Sequence, residues 1–397
     1  MLQAEKRLRR FIADHVVLWA MLAAGLIGIA VRFSLIPFMS GDFDHFNIPW
    51  FDEIQRGQIT VLFENGTFNY SPLFFYLYKI TGDLFGWMDT HLVCKILHIA
   101  AEMALSLLCF GWVDRAGRGK APLNRDSFLT FCCFWFNPLL ILNAAAWGQT
   151  DCFYAIFSVL AVLLLVKDRP VWAMAAFALS CAWKQQGLFL LPLIILMYFC
   201  GKKPFSVLWI LLLPAVMTAS SLPMGLIGGN PLQIFETFFT QFGEHSGTLV
   251  LNYPNWYALL GDGMAASSLY TPVMVGALAI IFCTAAVYLI TRKVTLQGTQ
   301  IVLIGAWCVL MCVFFLPRMH DRYAIVGEVL LLCYALLTKK PAALLSLALC
   351  FTATLNAYAS YLIMPFLSTG IAVVLQTASL MLLTREVYQN AKADCKA

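Results

Sequence analysis

Four carboxylates lie within the stretch Ser40–Ile54, SGDFDHFNIPWFDEI, of a chain that has only 21 acidic residues. A carboxylate that faces a substrate hydroxyl can take its proton as a general base. Asp42 is the leading candidate for this role because it directly follows a long apolar run, and Asp44 is the second candidate. Asp52 and Glu53 are typical of solvated surface acids.

Two further polar stretches carry cations that suit a phosphate group. The stretch RMHDRY contains Arg318, His320 and Arg322, and the stretch WKQQG contains Lys184. Arginine presents a planar fork that binds phosphate oxygens with two parallel hydrogen bonds. We therefore predict that these four side chains hold a phosphate group.

Aromatic side chains near these stretches offer apolar faces for a sugar ring. The aromatic faces include Trp50 of the acidic stretch and Tyr253 and Trp256 of NYPNWY, and we expect His45 and Asn252 of the same two stretches to line the substrate pocket with them. Tryptophans near the ends of membrane helices also serve as interface anchors, which is the structural alternative for each of them. A general base, a phosphate clamp and aromatic faces together favour sugar transfer from a lipid-phosphate donor.

The elements that must position these residues are membrane helices. The sequence is 61% hydrophobic and 12% charged, and many of its apolar runs approach the ~20 residues that span a bilayer. The alternating strands of a membrane β-barrel are a different pattern. We predict an all-α, polytopic membrane helical bundle with about twelve (11–13) transmembrane helices. The predicted spans are 13–39, 91–113, 127–146, 152–166, 171–184, 187–200, 204–226, 271–291, 300–317, 324–338, 341–358 and 363–383.

The charges between the apolar runs set the expected orientation. Most of the 26 lysines and arginines fall in alternate connecting segments, which the positive-inside rule places in the cytoplasm. Both termini are then cytoplasmic, and the acidic, aromatic and RMHDRY stretches share the outer side. The same rule accounts for the net charge of +5 without a nucleic-acid partner. We expect residues 1–397 to form one membrane domain without a separate soluble domain, and residues 40–90 to form a large first outer loop with short interfacial helices.

Some charged residues have structural alternatives to a functional role. Lys95, His98 and Glu102 fall on one helical face, and Glu102 lies near mid-span, where an acid should face the bundle interior. An ion pair between Glu102 and Lys95 is the structural alternative. Asp42-Phe43-Asp44 resembles a metal-binding DxD element, but two acids make an incomplete site. We predict no metal site and no other cofactor, with a divalent cation as the minor alternative.

Several stretches together resemble the C-type (GT-C) membrane glycosyltransferases. They are SGDFDHFNIPWFDEI, FNYSPLFFYLY, FNPLLILNAAAWGQTDCFYAIF, AWKQQGLFLLP and RMHDRYAI. Over residues 32–330 the sequence is most similar to bacterial mannosyltransferase-like proteins related to the eukaryotic GPI mannosyltransferase II. The resemblance implies a polyprenyl-phosphate sugar donor and an inverting mechanism without a nucleotide-sugar site.

The resemblance also implies roles for individual residues. The family's catalytic acid follows the first span, and Asp42 matches it, with Asp44 as the weaker match. The family's HxRY-like element matches 320–323, which adds Tyr323 to the residues expected to hold the donor phosphate. The quoted motifs add four residues to the expected substrate pocket, namely Tyr70, Gln149, Asp151 and Gln185.

The sequence thus predicts a bacterial membrane glycosyltransferase with its active site on the outer face. It would transfer a hexose, mannose or glucose, from a polyprenyl-phosphate donor to a glycan, lipid or protein acceptor beside the lipid bilayer. A transporter or flippase of a lipid-linked sugar is the main alternative, although such proteins typically show repeated halves and polar residues at the membrane midplane. A structural or assembly subunit without catalysis is the third reading.

Overall fold

The computed structural model describes residues 3–57, 68–241, 248–260 and 270–394, in which helices form nearly all of the regular structure. The α-helices of eight or more residues are α1 (Gln3–Asp14), α2 (Val16–Leu35), α3 (Ile48–Gln55), α4 (Pro72–Phe85), α5 (Thr90–Arg118), α6 (Arg125–Trp135), α7 (Asp151–Val166), α8 (Pro170–Trp183), α9 (Leu191–Cys200), α10 (Leu212–Ser221), α11 (Gln233–Thr240), α12 (Tyr270–Thr291), α13 (Thr299–Phe315), α14 (Ile325–Thr338), α15 (Pro341–Leu362) and α16 (Thr369–Asp394). Shorter segments are α-helical at Pro138–Ile141 and Pro223–Leu226, 3₁₀-helical at Gln185–Leu190, Val207–Leu211, Trp256–Leu259 and Asp321–Ala324, and π-helical at Phe43–Asn47 and Leu142–Trp147.

The predicted all-α membrane bundle is confirmed. Each of the twelve predicted spans overlaps one helix or consecutive helical segments, although the last one, 363–383, is displaced toward the N-terminus from α16. Within the described residues, seven segments are long and apolar enough to cross a membrane, and four more apolar helices have 10–17 residues. Fewer than twelve reach full length because polar corners such as Lys184 interrupt the apolar runs. The seven long segments are Val16–Leu35, Thr90–Arg118, Arg125–Trp147, Val207–Leu226, Tyr270–Thr291, Pro341–Leu362 and Thr369–Ala391.

The first long loop contains the two short helices α3 and α4. Pro72 occupies the first turn of α4, where its missing N–H leaves no hydrogen bond unmade. The helix buries Phe74, Phe75 and Tyr78 in one aromatic cluster with side chains of α3 and α5. These helices are therefore packed onto the bundle through their apolar residues. Their position relative to the lipid headgroups stays a prediction.

Antiparallel neighbours bring the polar stretches to one end of the bundle. Helix α7 begins at Asp151 and its neighbour α8 ends at Trp183, so that Lys184 lies beside Asp151. Helices α13 and α14 pack against each other and against α7. The loop that joins α13 to α14 carries RMHDRY and therefore lies at the same end of the bundle.

A buried ion pair joins the first span to the second. The guanidinium of Arg32 in α2 donates to both carboxylate oxygens of Glu102 in α5, at 2.5 and 2.7 Å, and both side chains are fully buried. Its other hydrogen bonds go to the carbonyl oxygens of Gly28 and Trp135, at 2.9 and 2.8 Å. The structural alternative, a pair between Glu102 and Lys95, does not form, because seven residues along a helix separate the two by ~10 Å and Glu102 pairs with Arg32.

Replacing one member of this ion pair should lower the stability of the protein more than replacing both members. In Arg32→Met the carboxylate of Glu102 is left buried without its partner, and we expect a loss of about 3–5 kcal/mol of stability. The double variant Arg32→Met/Glu102→Met replaces both charges by apolar side chains, and it should recover most of that loss. Thermal unfolding in detergent measures both effects. A double variant that melts as low as the single variant would show that the ion pair itself stabilises the bundle.

Candidate functional site

A cavity of about 730 Å³ lies where the polar stretches meet. Its polar and aromatic lining comes from helix ends and loops and comprises Asp42, Asn47, Trp50, Asn69, Tyr70, Gln149, Lys184, Gln185, Gln186, Gln241, Arg318, His320, Arg322 and Tyr323. Its apolar lining from the membrane helices α9, α12 and α13 comprises Leu191, Pro192, Val275, Leu278, Ala279, Phe282 and Cys312. One cavity thus joins charged groups to an apolar arm between helices.

Asp42 lies in this cavity with its carboxylate held by three neighbours. Its Oδ2 accepts hydrogen bonds from Trp147 Nε1 at 3.1 Å and from Gln149 Nε2 at 2.8 Å. Arg322 Nη1 lies 3.7 Å from the same oxygen. The side chain is nevertheless 28% exposed, so a ligand can reach it. The carboxylate is fixed in direction and open to the cavity, as a general base must be.

Two π-helical segments place Asp42 and its partners opposite each other. One runs over Phe43–Asn47 directly after Asp42, and the other ends at Trp147. Such segments are rare and occur often at functional sites. Gly148 follows the second segment with φ +74°, and a Cβ there would lie 2.3 Å from the Phe43 ring. The positive φ and the close approach of the Phe43 ring therefore require glycine at this position.

A buried charged cluster lies next to Asp42. Lys184 Nζ bonds to Asp151 Oδ1 at 2.6 Å, and Arg322 Nε lies 3.5 Å from Asp151 Oδ2. Asp151 is fully buried and does not line the cavity, so its carboxylate holds the two cations from behind. Arg322 also stacks over Trp147, with its Cζ 5.0 Å from the ring centroid. The two cations are thus fixed at the cavity wall.

The RMHDRY loop is held by the segment that precedes α12. Arg318 N donates to the carbonyl oxygen of Leu249 at 2.9 Å, and Tyr253 N donates to the carbonyl oxygen of Met319 at 3.3 Å. Isolated β-bridges also join Leu251 and Asn252 to His320. Arg318 and Asn252 both have positive φ, at 61° and 69°, which is an uncommon backbone conformation for residues other than glycine. The NYPNWY stretch therefore shapes the loop that carries the cations.

Burial changes the titration of three groups in this cluster. It raises the pKa of Tyr70 to about 12, so the phenol stays protonated and donates to Gln149 Oε1 at 3.3 Å. Burial also raises the pKa of Asp321 to about 7, although Arg322 opposes the shift. Burial alone would lower the pKa of Arg322, but the carboxylate of Asp151 outweighs it and the pKa is raised. Arg322 is a permanent cation in this site.

The raised pKa of Asp321 predicts a dependence of stability on pH. The folded state holds this proton up to about pH 7, whereas an unfolded chain releases it near pH 3.9. Folded protein therefore binds more protons between these values, and its stability falls as pH rises through them. We expect the melting temperature of the wild type, relative to Asp321→Asn, to fall by at least about 2 °C between pH 4.5 and 7.5. If the melting temperatures of the two proteins change with pH by the same amount across this range, the raised pKa of Asp321 is contradicted.

The structure brings most of the predicted site residues together. The predicted residues that line the cavity are Asp42, Trp50, Tyr70, Gln149, Lys184, Gln185, Arg318, His320, Arg322 and Tyr323. Asp44 and His45 are exposed and lie outside its lining, because the helical turn after Asp42 directs them away. In the part of the chain that the structure describes, no three His, Cys, Asp or Glu side chains group as metal ligands.

The three predicted residues of NYPNWY also lie outside the cavity lining. Tyr253 is buried, with 1% of its surface exposed. Trp256 packs against Tyr257 and Tyr270, at ring-centroid distances of 4.5 and 6.2 Å. Asn252 contributes its backbone bridge to His320. The backbones of Asn252 and Tyr253 therefore support the RMHDRY loop, whereas the sequence predicted a substrate contact for their side chains.

Sequence reasoning missed residues that shape the site from other elements. Tyr361 of α15 stacks on Trp147 at 4.3 Å between ring centroids, and its hydroxyl lies 3.2 Å from Asp42 N. Lys95 of α5 is buried and donates to the carbonyl oxygens of Ala145 and Ala146, at the end of the second π-helical segment. Tyr361 carries no motif that could have indicated it. The signal for Lys95 was its position inside the predicted span 91–113, where a charged side chain is uncommon.

The fold and its apolar segments define the class of this chain, which is an integral, multi-pass membrane protein. Residues 55–242, slightly less than half of the chain, match the family model described as GPI transamidase subunit PIG-U. No curated protein matches the chain significantly. The members of the matched family are described as subunits of GPI transamidase. The match therefore supports a membrane protein related to the GPI pathway, which is the coarser part of the resemblance described above. It is not a match to a mannosyltransferase.

Proposed function

We propose that this protein is a membrane glycosyltransferase that transfers a hexose from a polyprenyl-phosphate donor. The observation that carries the proposal is the composition of one cavity, in which Asp42 and the cations Lys184 and Arg322 adjoin an apolar arm. A polyprenyl-phosphate sugar has parts of matching chemistry, namely a neutral sugar, an anionic phosphate and a hydrocarbon chain. Trp50 and Tyr70 give the sugar aromatic faces in the same cavity.

The proposed reaction is a single displacement at the anomeric carbon. Asp42 takes the proton of an acceptor hydroxyl, whose oxygen forms a bond to the anomeric carbon as the bond from that carbon to the phosphate oxygen breaks. The configuration at the anomeric carbon inverts, and polyprenyl phosphate leaves with the electron pair. Arg322, Arg318 and Lys184 stabilise the charge that develops on the phosphate, which in a cavity with little water is worth more than in solution.

The positive-inside pattern supports a location for this reaction. It favours a cavity on the outer face of the cell membrane and both termini in the cytoplasm. The acceptor would then be a glycan, lipid or protein of the cell envelope. The sugar would be mannose or glucose, with mannose suggested by the resemblance to mannosyltransferase-like proteins.

The family match favours a second candidate, a subunit of a membrane complex. The matched family is described as a subunit of GPI transamidase, and a subunit can bind a glycosylated lipid without transferring its sugar. The same cavity would then hold the lipid for a partner enzyme. Under this proposal Asp42 would contact the sugar as a hydrogen-bond acceptor and would take no proton.

Consumption of the donor separates the two candidates. Purified protein in nanodiscs is supplied with polyprenyl-phosphate mannose or polyprenyl-phosphate glucose and with crude envelope acceptor, and the release of polyprenyl phosphate is followed. A transferase releases it from one donor over many turnovers, and only when acceptor is present. A binding subunit retains the donor stoichiometrically and releases no polyprenyl phosphate. Neither turnover nor retention of either donor would remove both proposals.

A further inference from the structure

The N-terminal helix α1 has no buried residue and carries two opposed faces. Leu8, Phe11 and Ile12 follow helical spacing along one face and are 59%, 51% and 47% exposed. The other face carries four cations, and the helix as a whole also contains the acids Glu5 and Asp14. The four cations are Lys6, Arg7, Arg9 and Arg10. An apolar stripe opposite a basic face is the pattern of a helix that lies in a membrane surface.

The position of α1 in the chain supports this location. His15 interrupts the helix with φ −119° and ψ 24°, and α2, a membrane span, begins at the next residue. Because α2 starts at the membrane boundary, the C-terminal end of α1, at Asp14, lies at the depth of the lipid headgroups. Its apolar side chains can then enter the boundary of the acyl chains while its cations face the headgroups.

More cations lie at the same end of the bundle. The start of α2 packs with the segment that precedes α6, since Val17 and Leu123 belong to one hydrophobic cluster. Three exposed basic residues flank this segment, namely Arg115, Lys120 and Arg125. The nearby carboxylate of Asp126 is paired with Lys339 at 2.7 Å. The charge around α1 is therefore predominantly positive, which suits anionic lipid.

We infer that α1 is a membrane-surface helix that binds the headgroups of anionic phospholipids, independently of the proposed transfer reaction. We take the binding partner of α1 to be an anionic lipid leaflet, because one short helix carries an apolar face and a basic face along its length. A protein partner would need no such continuity with a membrane span. Binding should order α1 and slow the hydrogen exchange of its backbone amides.

Hydrogen–deuterium exchange of the full chain tests this inference. The protein is placed in nanodiscs of phosphatidylcholine alone or with about 30% phosphatidylglycerol, and exchange of residues 3–14 is compared. We expect exchange to be about tenfold slower with the anionic lipid, and the difference to shrink at high salt because the attraction is electrostatic. Equal exchange in both lipids would overturn the inference, as would strong protection in phosphatidylcholine alone.

Two variants keep the test specific. Lys6→Gln/Arg9→Gln/Arg10→Gln removes cations from a helix without buried side chains, so the fold should remain and the lipid-dependent difference should disappear. Lys202→Gln/Lys203→Gln removes a basic pair from another loop and should leave the difference unchanged. Exchange of α13, in the buried core, reports whether each variant is folded. A lipid-dependent difference that survives in the triple variant would contradict the inference.

Discussion

Asp42→Asn should abolish sugar transfer while leaving the protein folded and able to bind its donor. Asparagine has the same shape, and its carbonyl oxygen can accept the hydrogen bonds from Trp147 and Gln149 that now end on Asp42 Oδ2. It cannot take a proton from the acceptor hydroxyl. General-base catalysis contributes about 10²–10⁴-fold, and we expect the rate of transfer to fall by that factor. Donor binding, measured separately at equilibrium, should stay within about threefold of the wild type.

Asp44→Asn is the matched control for this variant. Both acids belong to the same acidic stretch, but Asp44 is exposed and lies outside the cavity lining. Transfer by Asp44→Asn should therefore stay close to the wild-type rate. A loss of transfer in Asp44→Asn together with normal transfer in Asp42→Asn would exchange their roles. Normal transfer in both variants would remove the proposed base.

Arg322→Gln should lose both donor affinity and stability. Arg322 lies within 3.5–3.8 Å of the carboxylates of Asp42, Asp151 and Asp321, and it is only 7% exposed. Hydrogen bonds to charged groups contribute about 1.5–3 kcal/mol each, so the loss of one phosphate contact should weaken donor binding by about 10–100-fold. The three acids are left near each other without their common cation, and the melting temperature should also fall.

Arg322→Lys separates the two roles of the guanidinium. A lysine keeps the positive charge near the acids but cannot form two parallel hydrogen bonds with a phosphate. It should restore much of the melting temperature and little of the donor affinity. Arg115→Gln, an exposed change in another segment, should alter neither. Wild-type affinity of Arg322→Gln for the donor would show that this residue holds the carboxylates together and does not bind phosphate.

The sequence predicted much of the fold because membrane helices are read from simple features. Apolar run length gave the approximate position of the helices, with the last predicted span displaced from α16, and the alternation of basic segments predicted that the polar stretches share one side. Asp42, Lys184 and Arg322 line one cavity, as expected if the polar stretches lie at the same end of the bundle.

Other parts of the site depend on packing that sequence spacing does not encode. In a membrane bundle both faces of a helix are apolar, so helical periodicity does not indicate which face meets which neighbour. The pairing of Glu102 with Arg32 was therefore not predicted, and the contact of Tyr361 with Asp42 was missed. For the same reason the apolar arm between α9, α12 and α13 could not be predicted. Asp151 is buried behind the cavity wall because it pairs with Lys184 and Arg322. These two cations lie 33 and 171 positions away in the chain, so local sequence could not indicate the arrangement.

The most direct test of the central claim is transfer of sugar by the purified chain. Labelled mannose or glucose on polyprenyl phosphate is incubated with the protein in nanodiscs and with crude envelope acceptor, and label is followed into acceptor. We predict that wild-type protein transfers label from one donor and that Asp42→Asn binds the same donor without transferring it. If the purified wild type binds the donor but passes no label to acceptor under any condition, the chain is a lipid-binding subunit and the proposed enzyme is excluded.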